Sequence, residues 1–353
     1  MQYLTDDVRI TGMQEVIAPE ALMNEIAISP DTSALVFLAR KQVADILHAH
    51  DDRLLAVVGP CSIHDPEAAI DYAQRLQEQA QRYRDQLMIV MRVYFEKPRT
   101  TVGWKGLIND PHLDNTFDIN EGLRTARKLL LDINGLGLTA GTEYLDPISP
   151  QYVGDLVAWG AIGARTTESQ IHRQLASGLS CPIGFKNSTD GAIQVAVDAV
   201  NSSAHSHIFL SVTKAGHSAI FSTSGNQDCH VILRGGTSGT NYEADAIAGT
   251  KAALKKAKVG TGIMVDMSHA NSSKDHNRQL VVAEDLARQI TEGDRDIVGV
   301  MVESNLVAGR QDISTDKASL TYGQSITDAC ISWEDTETVL AQLAHAVNAR
   351  RGK

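Results

Sequence analysis

Eight short apolar runs, most of them separated by amphipathic segments, set the strongest limit on what this chain can fold into. They cover residues 54–59, 88–95, 138–143, 161–165, 183–186, 230–234, 263–266 and 297–303. Runs this short, closed by turn residues, read as buried strands. The segments between them carry helix signals. Asp65-Pro66 opens a helix over 67–83, with an N-cap before a proline at the first helical position. Ser149-Pro150 opens one over 151–159 in the same way. Asn120 precedes a third, over 121–132, which sets Leu123, Ala126, Leu130 and Ile133 near one face. Strands alternating with helices imply parallel pairing through crossovers, and eight such units imply an α/β chain closed as a (β/α)8 TIM barrel. The rival, a doubly wound open sheet, lacks a G-x-G-x-x-G after its first strand.

Two parts stand outside the alternation. Residues 1–50 form an N-terminal extension with a helical pattern over 33–49, and residues 51–353 form the barrel. Inside the barrel segment, 207–223 holds two β-like runs around Lys214-Ala215-Gly216 and reads as an inserted β-hairpin. With a net charge of −11, a general nucleic-acid surface is not expected. No apolar run approaches the roughly 18 residues of a membrane span, and the acidic N-terminus lacks a signal-peptide pattern. The 4 cysteines are too few for a disulfide scaffold, so the expected compartment is the reducing cytoplasm.

Barrels of this kind do chemistry at the carboxyl ends of their strands. Nearly every run here ends in a chemically capable residue: Cys61, Arg92 with Lys97, Glu143, Arg165, Lys186, Arg234, Asp266 with His269, and Glu303, followed by Asp328. Arg92, Lys97, Arg99, Arg165, Lys186 and Arg234 form a cationic group suited to phosphorylated or carboxylated substrates. Cys61, His269, Glu303 and Asp328 form a mixed S/N/O set, suited to a divalent first-row metal and too soft for a dedicated magnesium cage. Cys330, two residues after Asp328, faces the same way if that segment is extended, and would form an inactivating disulfide with Cys61 on oxidation; the alternative is an inert buried thiol. His64, His112, His172 and His217 remain open between substrate contacts and turn caps, and Trp104, Trp159 and Trp333 read as packing.

Seven blocks carry a resemblance to a known family. They are 59–65 (Gly-Pro-Cys-Ser-Ile-His-Asp), 91–110, 161–169 (Ala-Ile-Gly-Ala-Arg-Thr-Thr-Glu-Ser), 184–187 (Gly-Phe-Lys-Asn), 232–236 (Ile-Leu-Arg-Gly-Gly), 266–272 (Asp-Met-Ser-His-Ala-Asn-Ser) and 325–330 (Ser-Ile-Thr-Asp-Ala-Cys). Together the chain resembles the type I, microbial, feedback-regulated 3-deoxy-D-arabino-heptulosonate 7-phosphate (DAHP) synthases. The resemblance implies that phosphoenolpyruvate, D-erythrose 4-phosphate and water give the heptulosonate phosphate and inorganic phosphate, the first step of the shikimate pathway. It implies one divalent metal ion (Mn²⁺, Fe²⁺, Co²⁺ or Zn²⁺) on Cys61, His269, Glu303 and Asp328. Phosphoenolpyruvate falls to Arg92, Arg165, Lys186 and Arg234 with the Gly163-Ala164 backbone. Erythrose 4-phosphate falls to Lys97, Pro98, Arg99, Thr100 and Asp328. Lys97 is the candidate proton donor, and Glu143 or a water handles the proton of the attacking water. The alternatives are a 3-deoxy-octulosonate 8-phosphate synthase, against which Lys97-Pro-Arg-Thr100 argues, and a non-catalytic amino-acid-sensing barrel.

The resemblance also implies an allosteric site for an aromatic amino acid at a subunit boundary, in a tetramer built as a dimer of dimers. Its expected contacts are Asp6, Asp7, Pro150, Gln151, Leu175, Leu179, Ser180, Phe209, Ser211 and Phe221. Ser211 resembles the phenylalanine-sensitive members, whereas residues 143–147 and 330–334 look nearer the tyrosine-sensitive type; phenylalanine is the favoured effector, with tyrosine or tryptophan the alternative. Neither a nucleic-acid nor a membrane partner is expected.

Overall fold

A computed structural model describes residues 3, 5–99, 103–314 and 317–353. The strands in chain order begin with β1 (Leu54–Gly59), β2 (Leu87–Arg92), β3 (Ala140–Glu143), β4 (Val157–Ile162) and β5 (Ile183–Lys186). The hairpin strands β6 (Ile208–Val212) and β7 (Ser218–Ser222) follow, then β8 (Cys229–Leu233), β9 (Ile263–Asp266) and β10 (Ile297–Glu303). Without the hairpin these close into a barrel of order β1-β10-β9-β8-β5-β4-β3-β2, parallel throughout. Nearly every strand position is buried, which is why the runs are continuously apolar instead of alternating. The antiparallel hairpin sits outside the barrel, with Phe209 opposite Phe221 and Leu210 opposite Ile220.

The helices are α1 (Pro19–Glu25), α2 (Pro30–Leu47), α3 (Pro66–Arg82), α4 (Ile119–Gly135), α5 (Pro150–Val153), α6 (Gln170–Gly178), α7 (Ile193–Ser203), α8 (Ala244–Lys256), α9 (Arg278–Glu292) and α10 (Trp333–Arg351). A short pair, β11 (Val307–Arg310) and β12 (Gln324–Ser325), follows the barrel. Asp65 caps α3 as expected, accepting from the Glu67 and Ala68 amides. Three sequence expectations fail here. The helix expected over 151–159 is the single turn α5 and a 3-10 turn, and Val157–Trp159 already belong to β4. Its apolar residues fit a helix face or a buried strand equally well, and the fully buried Trp159 decides for the barrel. Ser149 does not cap α5, because its hydroxyl donates to Glu96 at 2.9 Å. Asp118, not Asn120, caps α4; the Asn120 amide instead binds the Ile17 N–H at 2.8 Å and the Glu15 carbonyl at 3.2 Å.

Helix α2 seals one mouth of the barrel. Val43, Ile46 and Leu47 pack with Leu55, Val57, Val90, Trp159, Ile232, Met264 and Met301 in the barrel interior. The Gly262 amide donates to the Leu47 carbonyl at 2.9 Å, and Arg40 Nε to the Val157 carbonyl at 3.0 Å. With the amino-terminal end plugged, the cleft that gathers the polar strand-end residues lies at the carboxyl ends of the strands.

A buried guanidinium ties the N-terminal segment to the barrel wall. Arg127 on α4 is fully buried and donates to the Ile26 carbonyl (2.8 Å), the Tyr152 carbonyl (2.8 Å) and both Asp155 oxygens (2.7 and 2.9 Å). Arg127→Ala leaves Asp155 and two carbonyls without partners. It should lower the denaturant midpoint by a stability loss of about 3–5 kcal/mol; an unchanged midpoint would show that water replaces the guanidinium.

Candidate active site

The cleft encloses about 460 Å³ at the carboxyl ends of the strands. Its described lining includes Arg92, Lys97, Pro98, Arg99, Glu143, Gly163, Ala164, Arg165, Lys186, Arg234, His269 and Asp328, all anticipated from the sequence. Thr100 lies outside the described residues.

Register explains the convergence. Barrel closure pairs Gly59 of β1 with Glu303 of β10, so Cys61, two residues past the strand, stands over the Glu303 carboxylate. The returning segment after β12 brings in Asp328. One donor atom each from Cys61, Glu303 and Asp328 lies within 4.8 Å of the others. His269 adds an imidazole whose Nε2 is 3.8 Å from Glu303 Oε1, while its Nδ1 stands 2.9 Å from Asp266 Oδ2. His269 holds a left-handed backbone (φ 55°), which turns its ring back over the end of β9. The four donors fit a divalent ion in kind: thiol, imidazole and two carboxylates with room between them.

The electrostatics are those of buried opposite charges held face to face. Burial works against the ionised Glu303, yet the His269 and Arg92 charges outweigh it and keep the carboxyl below its ordinary range. Arg92 donates to Glu303 at 2.9 Å, and the Ser268 hydroxyl to the other oxygen at 2.7 Å. Asp266, fully buried, is held far below the ordinary range by His269 and by Lys186, whose Nζ is 3.0 Å away. Lys97 donates to Asp328 at 2.8 Å and to the Cys61 sulfur at 2.9 Å. Burial opposes its charge, but Cys61 and Asp328 hold its pKa well above the ordinary lysine value, so it stays an ammonium. Burial, with Glu303 beside it, pushes the Cys61 thiol up to about 12. Binding a metal requires the thiolate, so loading releases a proton.

The cationic wall divides. Arg92 is buried, stacks 3.7 Å over the Tyr94 ring, and donates to the Pro60 and Cys61 carbonyls, both at 3.0 Å. It braces the metal-ligand side as much as it faces the cleft. Arg165 and Arg234, past the ends of β4 and β8, have no carboxylate partner among the described residues. They stand ready for an external anion. Gly163 lies so close to Glu143 that a Cβ there would come within 2.5 Å of Glu143 Oε1. The loop after β2 folds back, Lys97 N–H to the Lys105 carbonyl at 2.9 Å, and a side chain at Gly106 (φ 114°) would strike the Phe95 carbonyl. The four cysteines are all free; Cys330 is buried near Cys61 without a bond between them.

The expected effector residues gather only in part. Phe209 and Phe221 face each other with centroids 6.1 Å apart, and Ser211 lies on the same half-buried face of the hairpin. Thr223 bonds Ser177 of α6 at 2.7 Å, docking the hairpin beside Leu175, Leu179 and Ser180. Lys214 at the hairpin turn donates to the Gln151 carbonyl, next to Pro150. Asp6 and Asp7 are exposed and make no hydrogen bond to the hairpin among the described residues.

A (β/α)8 barrel whose carboxyl-end cleft brings a candidate metal-ligand cluster together with arginines lacking carboxylate partners among the described residues is the architecture of an enzyme for anionic substrates. The profile of the DAHP synthetase I family matches residues 25–341. The chain is 59% identical over 352 residues, all of both chains, to the Phe-sensitive phospho-2-dehydro-3-deoxyheptonate aldolase of Escherichia coli (strain K12). It is 58% identical to the phospho-2-dehydro-3-deoxyheptonate aldolase of Haemophilus influenzae, over 98% of this chain and 95% of that one. The solved phospho-2-dehydro-3-deoxyheptonate aldolase of Francisella tularensis SCHU S4 superposes with a TM-score of 0.95 at 55% identity, over 98% of this chain and 100% of that one. This chain belongs to the DAHP synthetase I family.

Sequence reasoning did not single out Glu96, a further cleft residue, although it lies inside the 91–110 block. It is buried, accepts from Ser149 at 2.9 Å and from the Asp146 amide at 3.1 Å, and burial with the Asp146 charge raises it to about 8. The folded state therefore keeps a proton that an unfolded chain gives up near the ordinary value of 4.5. Between those values stability falls as pH rises. Glu96→Gln removes that loss. Its Tm advantage over the parent should be absent near pH 4 and grow to roughly 5 °C at pH 8; a constant difference across that range would refute the buried neutral carboxyl.

Proposed function

We infer that this chain is a DAHP synthase, condensing phosphoenolpyruvate with D-erythrose 4-phosphate and water to give 3-deoxy-D-arabino-heptulosonate 7-phosphate and phosphate. This is the opening reaction of the route to aromatic amino acids. The observation that carries the reading is the cluster of Cys61, Glu303 and Asp328, with His269 beside it, across the cleft from the unpaired Arg165 and Arg234. The four would hold one divalent ion of the Mn²⁺, Fe²⁺, Co²⁺ or Zn²⁺ type, which when bound supplies Lewis acidity at the aldehyde oxygen.

The chain's own residues do the rest. Arg165, Arg234 and Lys186, with the Gly163-Ala164 backbone, hold the phosphoenolpyruvate phosphate, and Arg92 favours its carboxylate through the field of its buried charge. Arg99 and Pro98, with Thr100, hold the aldose phosphate. Holding both substrates in one cleft would bring C3 of the enol against the aldehyde carbon. Lys97, kept protonated by Asp328 and Cys61, gives its proton to the alkoxide that forms. Glu143, beside Gly163, takes the proton of the water that adds at C2 before phosphate leaves. Arg165→Ala should lower kcat/KM for phosphoenolpyruvate by about 100-fold or more, the scale of an unpaired charged contact. Phosphate release from both substrates, absent from either alone, tests the reading; no release by metal-loaded protein would sink it.

Feedback inhibition belongs to the same reading, with phenylalanine the favoured effector because of Ser211 and the 59% identical Phe-sensitive relative. The half-buried face carrying Phe209, Ser211 and Phe221 would receive the aromatic ring. The opposite face, Ile208, Leu210 and Ile220, is 71, 82 and 72% exposed, which supports burial against another copy in a tetramer. A neighbouring copy would then supply Asp6 and Asp7 to the amino group. Gln151 and Pro150 adjoin Ser149, whose hydroxyl donates to Glu96 beside Lys97, and these contacts support a link from the effector site to the cleft. Ser180→Phe should raise the inhibitory phenylalanine concentration at least about tenfold by filling the pocket; inhibition curves that coincide with the parent's would place the effector elsewhere.

A further inference from the structure

Charge pairing in the cleft leaves one cation without an assigned anion. Among the described residues, Arg92, Lys97, Lys186 and Arg310 each face a carboxylate: Glu303, Asp328, Asp266 and Asp312 in turn. Arg99, Arg165, Arg234 and Lys274 line the cleft with no carboxylate partner. The first three are assigned above to the substrates' phosphates. Lys274 is not, and no motif in the sequence pointed to it.

The loop between β9 and α9 puts Lys274 where it is. The Ala270 and Asn271 amides donate to the Arg234 carbonyl at 3.2 and 3.3 Å, and the Asn271 side chain to the Leu233 and Asp266 carbonyls at 3.2 and 2.9 Å. The loop is thereby pinned to the strand end that carries Arg234. The Lys274 amide closes back onto the His269 carbonyl at 2.8 Å. Ser273 and Lys274 both take left-handed backbone, φ 54° and 62°, a region non-glycine residues seldom adopt and keep only where their surroundings impose it. Ser272, Lys274 and His276, at alternate positions, all line the cleft, joined by Thr189 from the loop after β5. Arg234 is half-buried and Lys274 exposed, both line the cleft, and neither has a carboxylate partner among the described residues.

We propose that Lys274, with His276 and Thr189 on the same rim, forms an outer phosphate subsite that holds a phosphate dianion passing between solvent and Arg165–Arg234. The proposal rests on the DAHP synthase reading for the identity of the anion. Two sources share the chemistry: the phosphate of arriving phosphoenolpyruvate, and the inorganic phosphate left after its C2–O bond breaks. A compact, flexible ammonium suits transit better than a bidentate clamp, because it follows the anion without fixing its orientation.

Lys274→Met and Lys274→Arg in the full-length, metal-loaded protein test it. Calorimetry reads binding of inorganic phosphate and of phosphoenolpyruvate separately, and steady-state kinetics reads KM for each substrate and inhibition by phosphate. Lys274→Met should weaken one or both phosphate ligands about five- to tenfold, and Lys274→Arg should recover most of it. A loss confined to phosphoenolpyruvate identifies the entry role, and a loss confined to inorganic phosphate the exit role. Both affinities within twofold of the parent, in a variant with the parent's thermal melt, would overturn the subsite. So would an effect confined to KM for erythrose 4-phosphate. Failure of the parent itself to bind phosphoenolpyruvate would instead strike the function reading, and phosphate calorimetry would still judge the rim.

Discussion

Closure of the barrel between β1 and β10 is the constraint on which the site depends. It sets Gly59 opposite Glu303, and with that one register it fixes where Cys61, Arg92 and Asp328 can meet. Glu303 is fully buried and would be costly to ionise there alone. Arg92, Ser268 and His269 make the charge tolerable, and Gln279 holds its backbone, donating to the Glu303 carbonyl at 2.9 Å and accepting its N–H at 2.9 Å. A register slip of one residue would turn Glu303 out of the cleft and leave Arg92 facing no anion.

The same economy runs through the rest of the cleft. Buried cations on the floor, Arg92, Lys186 and Lys97, are matched one to one with carboxylates, so the protein folds without uncompensated charge. The unmatched cations sit toward solvent, where water screens them until an anion arrives. The asymmetry between a paired floor and an unpaired rim separates groups that build the site from groups that bind. It also places Lys97 between the two: ion-paired to Asp328, yet on the loop that carries Arg99.

The barrel was legible because its strands are buried on both faces. Continuous runs such as 54–59 and 297–303 keep their meaning whatever packs on them, and the strand-end residues could be read off in order. Boundaries were less legible where two periods coincide. Residues 151–159 satisfy a helical stripe, and only the burial of Trp159 inside the barrel makes Val157 the start of a strand. Capping was misread for a related reason. Ser149 and Asn120 have the right side chains for caps, but each finds a better distant partner, Glu96 and the Ile17 amide.

By itself the sequence determined the architecture and the order of polar residues at the strand ends, Cys61, Glu303 and the cationic group among them, because residue type and strand position carry that information locally. The tertiary structure alone decided the pairings: which cations are neutralised, that Glu96 is buried beside Ser149, and that Lys274 on the rim has no carboxylate partner among the described residues. Those depend on contacts between loops distant in the chain, and on burial that raises or lowers a charge's cost. Neither quantity is written in the spacing of residues.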